Sequence, residues 1–258
     1  MIFIYRMIPI LILFLQISTI QSFLNRAPHI GIMGRTATGK TTLVRNFVEH
    51  NNYAALYEGQ RVRSLAFISE TENYQYPPIE YLWNGNLKFD NKGHSFLKKS
   101  TGHYEDITEL LKNPDIAQYA STMYRNTQTK HRIRNYLQEV IIQSELPVII
   151  DCRDPRDILA KCNHAKTMLF YLAATVEERA KRWHRSQKKN KQFTFDEAEK
   201  LVGYRDKLDI DSEYWEGIFE SSNNTNNIIF IDTTNMSPEE VLGKVLEHIL
   251  INTNNPSL

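Results

Sequence analysis

The chain has 258 residues, with 31 Lys and Arg against 30 Asp and Glu, so its formal net charge of +1 lacks the electrostatic signature of a nucleic-acid-binding protein. Hydrophobic residues make up 41% and charged residues 24%, which excludes disordered and collagen-like classes. Cys152 and Cys162 cannot build a disulfide scaffold and do not have the spacing of zinc ligands. We therefore expect one enlarged globular domain, or one domain with an insertion, without structural zinc or redox chemistry.

The N-terminal segment, residues 1–24, differs from the rest of the chain. Residues 1–15 are apolar apart from Arg6, and a polar stretch containing Ser22 follows, as in a secretory or organelle-targeting signal. The uninterrupted apolar run Met7–Leu15 is too short to cross about 30 Å of hydrocarbon as a helix, which argues against a membrane anchor. A working signal and a start-site artefact stay open as alternatives, and residues 1–24 do not enter the fold prediction.

From residue 25 onward the sequence predicts strands that alternate with helices. The strand predictions are short apolar runs typical of buried parallel strands: HIGIM (29–33), VII (148–150), MLFYL (168–172) and IIFI (228–231). Amphipathic helices are predicted for residues 41–50, for 115–143 with a break near Asn126, and after Thr175 and Ser237. This alternation predicts an α/β fold of three layers, with a central parallel sheet covered by helices on both faces.

The helix starts after Thr175 and Ser237 are marked by capping boxes. Glu178 follows Thr175 by three residues, and Glu240 follows Ser237 in the same way.

Residues 70–112 interrupt the alternation. They are rich in Tyr, Pro, Gly and Asn, and the segments YLW (81–83) and NLKF (86–89) are predicted as strands of a hairpin. We therefore predict a small inserted subdomain over residues 70–112, within a core formed by residues 25–69 and 113–251.

Residues Gly34–Thr41 match the phosphate-binding pattern GxxxxGK(S/T) in full, between a predicted strand and a predicted helix. In such a P-loop the backbone curls so that successive N–H groups and the helix N-terminus surround phosphate oxygens. Lys40 adds a positive charge for the β and γ phosphates, and the Thr41 hydroxyl is suited to Mg²⁺. ATP and Mg²⁺ are therefore the expected cofactors, bound by Gly34, Arg35, Thr36, Ala37, Thr38, Gly39, Lys40, Thr41 and Thr42.

Seven separate segments, read in order, resemble a known family. They are the P-loop, YEGQRVRSLA (57–66), EDITELLKNPDIAQYAS (105–121), DCRD (151–154), EERAKR (177–182), YRDKLD (204–209) and IDTTNMSPEEV (231–241). From His29 to about Ile249 the chain resembles the bacterial-type cytidylate kinases of the nucleoside monophosphate kinase group. The resemblance implies a P-loop kinase fold in which residues 70–112 bind the monophosphate and residues 179–191 form a helical lid. It also implies ATP-dependent phosphorylation of CMP or dCMP to CDP or dCDP by direct in-line transfer.

The resemblance assigns roles to charged residues at the predicted phosphate site. Arg63 and Arg153 correspond to arginines that hold the phosphate of the monophosphate, and a guanidinium can bind two of its oxygens. Asp151 ends a predicted strand, where P-loop enzymes place a carboxylate toward Mg²⁺ or substrate. Thr41 and Asp151 are therefore the predicted metal-binding residues. The predicted catalytic residues are Lys40, Arg63, Arg153 and Arg182.

Other residues correspond to substrate-binding positions of the family. Asp154 corresponds to the carboxylate that accepts a hydrogen bond from the cytosine amino group. Ser121, Arg205 and Asp209 correspond to residues that hold the ribose and the neighbouring phosphate, and an ordinary solvated helix face is the alternative. In the lid, Arg179, Arg182 and Arg185 recur along one side of a helix, and two of the three are expected to act over ATP.

The chain departs from the family at three of its four base-reading positions. Glu58, Lys130 and Ser212 stand where the family has a serine and two arginines, and only Asp154 is kept. A lysine keeps the charge of an arginine but loses the planar fork that reads a base. Glu58 and Lys130 are therefore predicted substrate-binding residues, while the preference among CMP, dCMP and UMP stays open.

Two other functions stay open at this point. The first alternative is a different small P-loop kinase, acting on UMP or a non-nucleotide acceptor. The second is a degenerate nucleotide-binding module. The sequence has no HExxH or GxSxG pattern, which excludes the common metal-hydrolase and serine-hydrolase classes. We expect small-molecule substrates, no nucleic-acid partner, no stable membrane association unless the leader is retained, and a monomer. A cytoplasmic location is expected, with an organelle or export as the alternative if residues 1–24 act as a targeting segment.

Overall fold

The computed structural model describes residues 27–74, 76–161, 166–186, 194–210 and 228–254. The predicted leader, the part of the predicted lid after residue 186 and Ser212 lie outside these ranges.

The strands belong to two sheets. In chain order they are β1 His29–Gly34, β2 Ala54–Tyr57, β3 Leu87–Phe89, β4 Ser95–Lys98, β5 Tyr104–Asp106, β6 Val148–Asp151, β7 Thr167–Ala173 and β8 Ile228–Asp232. The larger sheet is parallel throughout, with the order β2-β6-β1-β7-β8. Its central strand, β1, lies between β6 and β7, and the four apolar runs predicted from the sequence are four of its five strands.

The helices follow the predicted alternation. They are α1 Lys40–His50, α2 Glu58–Thr71, α3 Pro114–Arg125, α4 Thr127–Ile142, α5 Arg156–Leu159, α6 Val176–Ser186, α7 Phe195–Ile210 and α8 Pro238–Asn254. The predicted capping box of α8 is present, since Ser237 and Glu240 bond reciprocally. At the start of α6 only half of the predicted box forms: the Glu178 N–H donates to Thr175 Oγ1 at 3.3 Å, but the Thr175 N–H donates to Thr234 Oγ1. None of the helices in the described ranges is long and apolar enough to cross a membrane.

The core lies on both faces of the parallel sheet. Along β6, Val148 and Ile150 pack into one hydrophobic cluster and Ile149 into another, because successive side chains of a strand point to opposite faces. The first cluster includes Leu65 of α2 and Leu137 of α4, and the second includes residues of α1 and α8. The three-layer α/β fold predicted from the sequence is therefore confirmed.

Two local predictions need correction. The YLW prediction was wrong, because Tyr81 and Leu82 lie in a short 3₁₀ helix, Ile79–Leu82, whereas NLKF forms β3. Strand β2 was not predicted at all. Its sequence, AALY, has two alanines of low β propensity, and α2 begins at the next residue, so the strand is defined by its parallel pairing with β6.

The segment between α2 and α3 carries the smaller, antiparallel sheet β3-β4-β5. Its apolar residues, such as Leu97 and Ile107, share the hydrophobic cluster that contains Leu65. The β3–β4 turn also covers the free edge of β2, since Asn91 Oδ1 accepts from the Ala55 N–H at 3.1 Å and Asn91 O accepts from Tyr57 Oη at 2.8 Å. This segment thus fixes the end of β2 against the parallel sheet.

The close approach of α5 to β1 yields a stability prediction. A Cβ on Gly31 would lie 2.5 Å from Pro155 Cγ and 2.8 Å from Leu169 Cδ2. We expect Gly31→Ala to lower the free energy of unfolding by about 1–3 kcal/mol, because the extra methyl overpacks a filled core. Urea denaturation measures this change.

Gly243→Ala is the matched control. Gly243 is exposed on α8, and a Cβ there would meet no atom within 4 Å. This substitution should leave stability unchanged or raise it by up to about 1 kcal/mol through helix propensity. Equal stability of Gly31→Ala and the unmodified chain would contradict the packing of Pro155 on β1.

Candidate active site

The loop between β1 and α1 needs glycine at both ends. Gly34 has φ +143, and a Cβ there would lie 2.4 Å from the carbonyl oxygen of Leu172 on the adjacent strand. Gly39 has φ +98 directly before the first residue of α1. Because side chains other than glycine rarely adopt such values, these positions allow the tight turn that exposes the loop's N–H groups.

Lys40 closes over this loop. Its Nζ donates to the carbonyl oxygens of Gly34 at 2.7 Å and Arg35 at 2.9 Å. The Arg35 carbonyl also accepts from Thr38 Oγ1 at 2.9 Å. The ammonium group is therefore held at the mouth of the loop, where it can bind phosphate oxygens.

Thr41 and Asp151 form the predicted metal-binding pair. Asp151 ends β6 and is the register partner of Ile32 on β1, so its carboxylate lies at the same sheet edge as the P-loop. Thr41 Oγ1 donates to Asp151 Oδ2 at 2.5 Å. One carboxylate and one hydroxyl fit Mg²⁺, which takes few protein ligands and completes its shell with water and substrate phosphates. No group of three or more His, Cys, Asp or Glu able to hold a metal is found in the described ranges.

Two clefts meet at the P-loop. The α2–α3 cleft has a volume of about 220 Å³ and is lined by Glu58, Arg63, Ser121, Tyr124 and Arg153, among others. The α6–α8 cleft has a volume of about 580 Å³ and is lined by residues of α6, including Arg182 and Trp183, and by the start of α8. Both clefts include Ala37, Lys40, Thr41, Arg63 and Arg205 in their walls. Two ligands could therefore bind on opposite sides of one shared cationic wall.

Positive charge converges on that wall from separate elements. Arg63 comes from α2, Arg153 follows β6, and Arg205 comes from α7. Burial lowers the pKa of Arg63; Asp151 raises this pKa, and the charges of Arg153 and Arg45 lower it further. Cations packed this closely repel one another, and a bound phosphate would relieve that repulsion.

A buried ion cluster joins the P-loop to α6 and α7. Arg179 is 1% exposed and donates to Asp206 Oδ1 at 2.8 Å and Oδ2 at 2.5 Å. Arg179 Nη1 also donates to the Thr36 carbonyl oxygen at 3.3 Å, and Arg35 Nη1 lies 3.2 Å from Asp206 Oδ2. Asp206 was not among the residues predicted from the sequence, although it lies inside the YRDKLD segment. Its carboxylate therefore connects α7 with α6 and with the P-loop.

The three predicted lid arginines have different surroundings. Arg179 belongs to the buried cluster and does not line either cleft within the described residues. Arg182 donates to the Thr38 carbonyl oxygen at 3.3 Å and to Thr233 Oγ1 at 2.9 Å, and it lines the α6–α8 cleft. Arg185 lines the same cleft and pairs with Glu178 at 3.1 Å. Arg182 and Arg185 are therefore the two predicted lid arginines that line this cleft among the described residues.

The predicted base-reading residues are not all at the α2–α3 cleft. Glu58 is buried in its wall, where its carboxylate accepts from the Tyr124 hydroxyl and from the Arg153 N–H. Asp154 and Lys130 are not among the described residues that line either cleft. The Asp209 side chain and Ser212 lie outside the residues whose side chains are described.

Sequence reasoning also missed two residues beside Glu58. Tyr124 of α3 lines the α2–α3 cleft, and its hydroxyl interacts with Arg134 of α4. Arg134 Nη2 lies 3.9 Å from Asp154 Oδ2 and Nη1 lies 2.9 Å from Asp157 Oδ2. Arg134 comes one helical turn after Lys130, and this spacing was the only available signal that an arginine could reach the region.

Comparisons with known proteins decide the family. The model of the family described as cytidylate kinase matches residues 30–250. This chain belongs to the cytidylate kinase family. The resemblance inferred from the seven segments is thereby confirmed.

Individual relatives cover most of the chain. A cytidylate kinase from Caldicellulosiruptor bescii is 32% identical over 228 residues, which are 85% of this chain and 94% of that protein. A cytidylate kinase from Bacillus cytotoxicus is 23% identical over 225 residues, with 84% and 93% covered. Among solved structures, a shikimate kinase from Acinetobacter baumannii has 15% identity and a TM-score of 0.45, with 90% of this chain and 98% of that chain covered.

The Asp206 cluster of this cytidylate kinase family member yields a second stability prediction. We expect Asp206→Asn to lower the free energy of unfolding by about 3–5 kcal/mol, because it leaves the buried Arg179 guanidinium without a compensating charge. Urea denaturation, followed by circular dichroism, measures the loss.

Glu177→Gln is the control for this prediction. Glu177 lies on α6 as Arg179 does, but it is exposed and pairs with Lys181 at the surface at 2.5 Å. Exposed pairs contribute little, so no measurable change is expected. If Asp206→Asn proved as stable as Glu177→Gln, the anchoring role of Asp206 would be wrong.

Proposed function

We propose that this protein is a nucleoside monophosphate kinase that transfers the γ-phosphoryl group of ATP to CMP or dCMP, with ADP and CDP or dCDP as products. The observation that supports this most strongly is the meeting of two clefts at Lys40 and Thr41, with arginines converging on the shared wall. Membership of the cytidylate kinase family supports the same reaction.

The α6–α8 cleft is the proposed ATP site. The triphosphate lies along the P-loop, where the loop N–H groups and Lys40 offset its charge. The rest of the nucleotide extends between Arg182 and the start of α8, near Met236 and Pro238. Arg185 adds a second cation at the mouth of this cleft.

The α2–α3 cleft is the proposed monophosphate site. Arg63 and Arg153 hold the acceptor phosphate, and Arg205 reaches it from the opposite wall. Residues 70–112, the predicted monophosphate-binding subdomain, contribute no side chain to this cleft among the residues described. Residues 70–112 instead pack behind the cleft wall at Tyr57. Gly93 lies so close to the Tyr57 ring that a Cβ on Gly93 would be 3.1 Å from it.

Transfer is proposed to be direct. An oxygen of the acceptor phosphate attacks the γ-phosphorus of ATP as the bond to the β–γ bridging oxygen breaks, and the bond electrons leave with ADP. The protein's work is to align the two phosphates and to offset charge on the moving group with Lys40, Arg63 and Arg153. Bound Mg²⁺, held by Thr41 and Asp151, would neutralise phosphate charge as a Lewis acid.

A covalent enzyme intermediate is not needed. Burial raises the pKa of the Cys152 thiol in the wall of the α2–α3 cleft, and the nearby carboxylates raise it further, so the thiol stays protonated and a poor nucleophile.

A cytoplasmic location and a monomer remain our predictions. ATP supply favours the cytoplasmic location.

The function is tested by an ADP-release assay on the full chain with ATP and Mg²⁺. Separate reactions contain CMP, dCMP, UMP, AMP or GMP, and a blank has no acceptor. We expect ADP formation with CMP or dCMP to exceed that with every other acceptor. Rates equal to the blank with all five acceptors would refute the proposed function, and faster transfer to UMP or a purine nucleotide would replace its substrate.

The catalytic roles are tested by two alanine variants. Lys40→Ala and Arg153→Ala should each lower kcat more than about tenfold, since each removes positive charge aimed at the transferred group. Lys244→Ala, an exposed lysine of α8 paired with Glu247, should keep the kcat of the unmodified chain. Near-normal kcat in either active-site variant would remove the role assigned to that residue.

A further inference from the structure

Ala37, in the middle of the P-loop, has an unusual backbone conformation. Its φ is +61, in the left-handed region, and among the described residues other than glycine only Asn73 also has a positive φ. This conformation is sterically unfavourable for a residue that carries a Cβ, whereas glycine adopts it readily. Asn73 follows the end of α2 at an exposed position, where asparagine commonly adopts it. No helix ends at Ala37, so the presence of its methyl group requires another explanation.

The methyl group of Ala37 packs against an apolar cluster between two helices. The cluster contains Trp183 of α6 together with Ala198 and Val202 of α7, and each of them is at most 8% exposed. It joins the two helices into one body, the α6–α7 unit. Through Ala37 the P-loop therefore contacts the apolar centre of this unit.

The residues on either side of Ala37 contact the same unit through their backbones. The Thr36 carbonyl oxygen accepts from Arg179 Nη1 at 3.3 Å, and the Thr38 carbonyl oxygen accepts from Arg182 Nη1 at 3.3 Å. Hydrogen bonds of this length are long and tolerate small displacements. Van der Waals contact is stricter, because the attraction falls off steeply with a gap and atoms that approach too closely repel. The methyl group of Ala37 therefore sets how closely the α6–α7 unit approaches the loop.

The position of the α6–α7 unit affects the cations that bind phosphate. Arg182 of α6 lines the α6–α8 cleft, and Arg205 of α7 lines both clefts, as Ala37 does. A displacement of the unit relative to the P-loop would move both guanidinium groups relative to a phosphate bound there. Phosphoryl transfer depends mainly on positioning, so small displacements of this kind slow it.

We propose that Ala37 is a positioning residue, whose methyl group sets the distance between the α6–α7 unit and the P-loop and thereby places Arg182 and Arg205 for transfer. Glycine at residue 37 would fit the backbone conformation better, but it would leave a gap between the loop and the apolar cluster. The unfavourable conformation is retained for the contact that it provides. The inference rests on the proposed function, since it concerns ATP bound in the α6–α8 cleft.

The test compares Ala37→Gly with Asn73→Gly, because both substitutions place glycine at a left-handed position. At saturating CMP, Ala37→Gly should lower kcat/KM for ATP more than about fivefold, since the arginines of the α6–α7 unit are no longer held at the P-loop. The KM for CMP should stay within about twofold, because Arg63 and Arg153 lie outside this unit. Asn73→Gly should keep the kinetic constants of the unmodified chain, although it relieves the same kind of backbone strain.

A conservative variant and a binding measurement complete the test. Ala37→Ser keeps a Cβ and changes the volume little, so it should retain kcat/KM for ATP within about threefold of the unmodified value. The calorimetric Kd for ATP should rise in Ala37→Gly but not in Asn73→Gly, which gives the same comparison without turnover.

Unchanged kcat/KM and Kd in Ala37→Gly would overturn the role of Ala37, and so would an equal loss in Asn73→Gly or Ala37→Ser. If the unmodified chain binds ATP but transfers to no nucleotide, the proposed function is refuted, while the Kd values still decide the role of Ala37. Absence of ATP binding by the unmodified chain would refute both.

Discussion

The ion pairs of the Asp206 carboxylate fix the relative positions of three elements of the active site. Asp206 belongs to α7, and its carboxylate pairs with Arg179 of α6 and with Arg35 of the P-loop. A buried charge is tolerated only when it is fully paired, so these elements have few alternative arrangements. Arg205 is the preceding residue on α7, and the anchor therefore also determines where that guanidinium enters the wall between the two clefts.

The second constraint is electrostatic. Phosphoryl transfer is limited by positioning and by negative charge on the moving group, so an efficient site must hold several cations close together before substrates arrive. Here Lys40, Arg63 and Arg153 come from separate elements, and Asp151 offsets part of their repulsion. Substrate phosphates supply the remaining negative charge. The repulsion among the cations is overcome when the protein folds. In the folded protein the cations are therefore already placed to attract the transferred phosphoryl group.

Sequence patterns predicted those features that depend on local spacing. The P-loop and four buried strands follow from residue order alone, and the capping box of α8 does so as well. Strand β2 was missed because AALY becomes a strand only through pairing with β6. The partnership of Arg179 with Asp206 spans 27 positions and depends on how α6 and α7 pack. Asp154 matches the residue type of the family at its position. The structure shows that its carboxylate contacts Arg156 and Arg134, whereas Glu58 lines the α2–α3 cleft.

In the proposed reaction ATP and the acceptor bind together, one in each cleft, and meet at Lys40. Initial rates measured with ATP varied at several fixed CMP concentrations test this simultaneous binding. Simultaneous binding predicts double-reciprocal lines that intersect, because both substrates must be present before transfer. Parallel lines would show that one product leaves before the second substrate binds, which requires a phosphorylated enzyme and would contradict direct transfer between the two clefts.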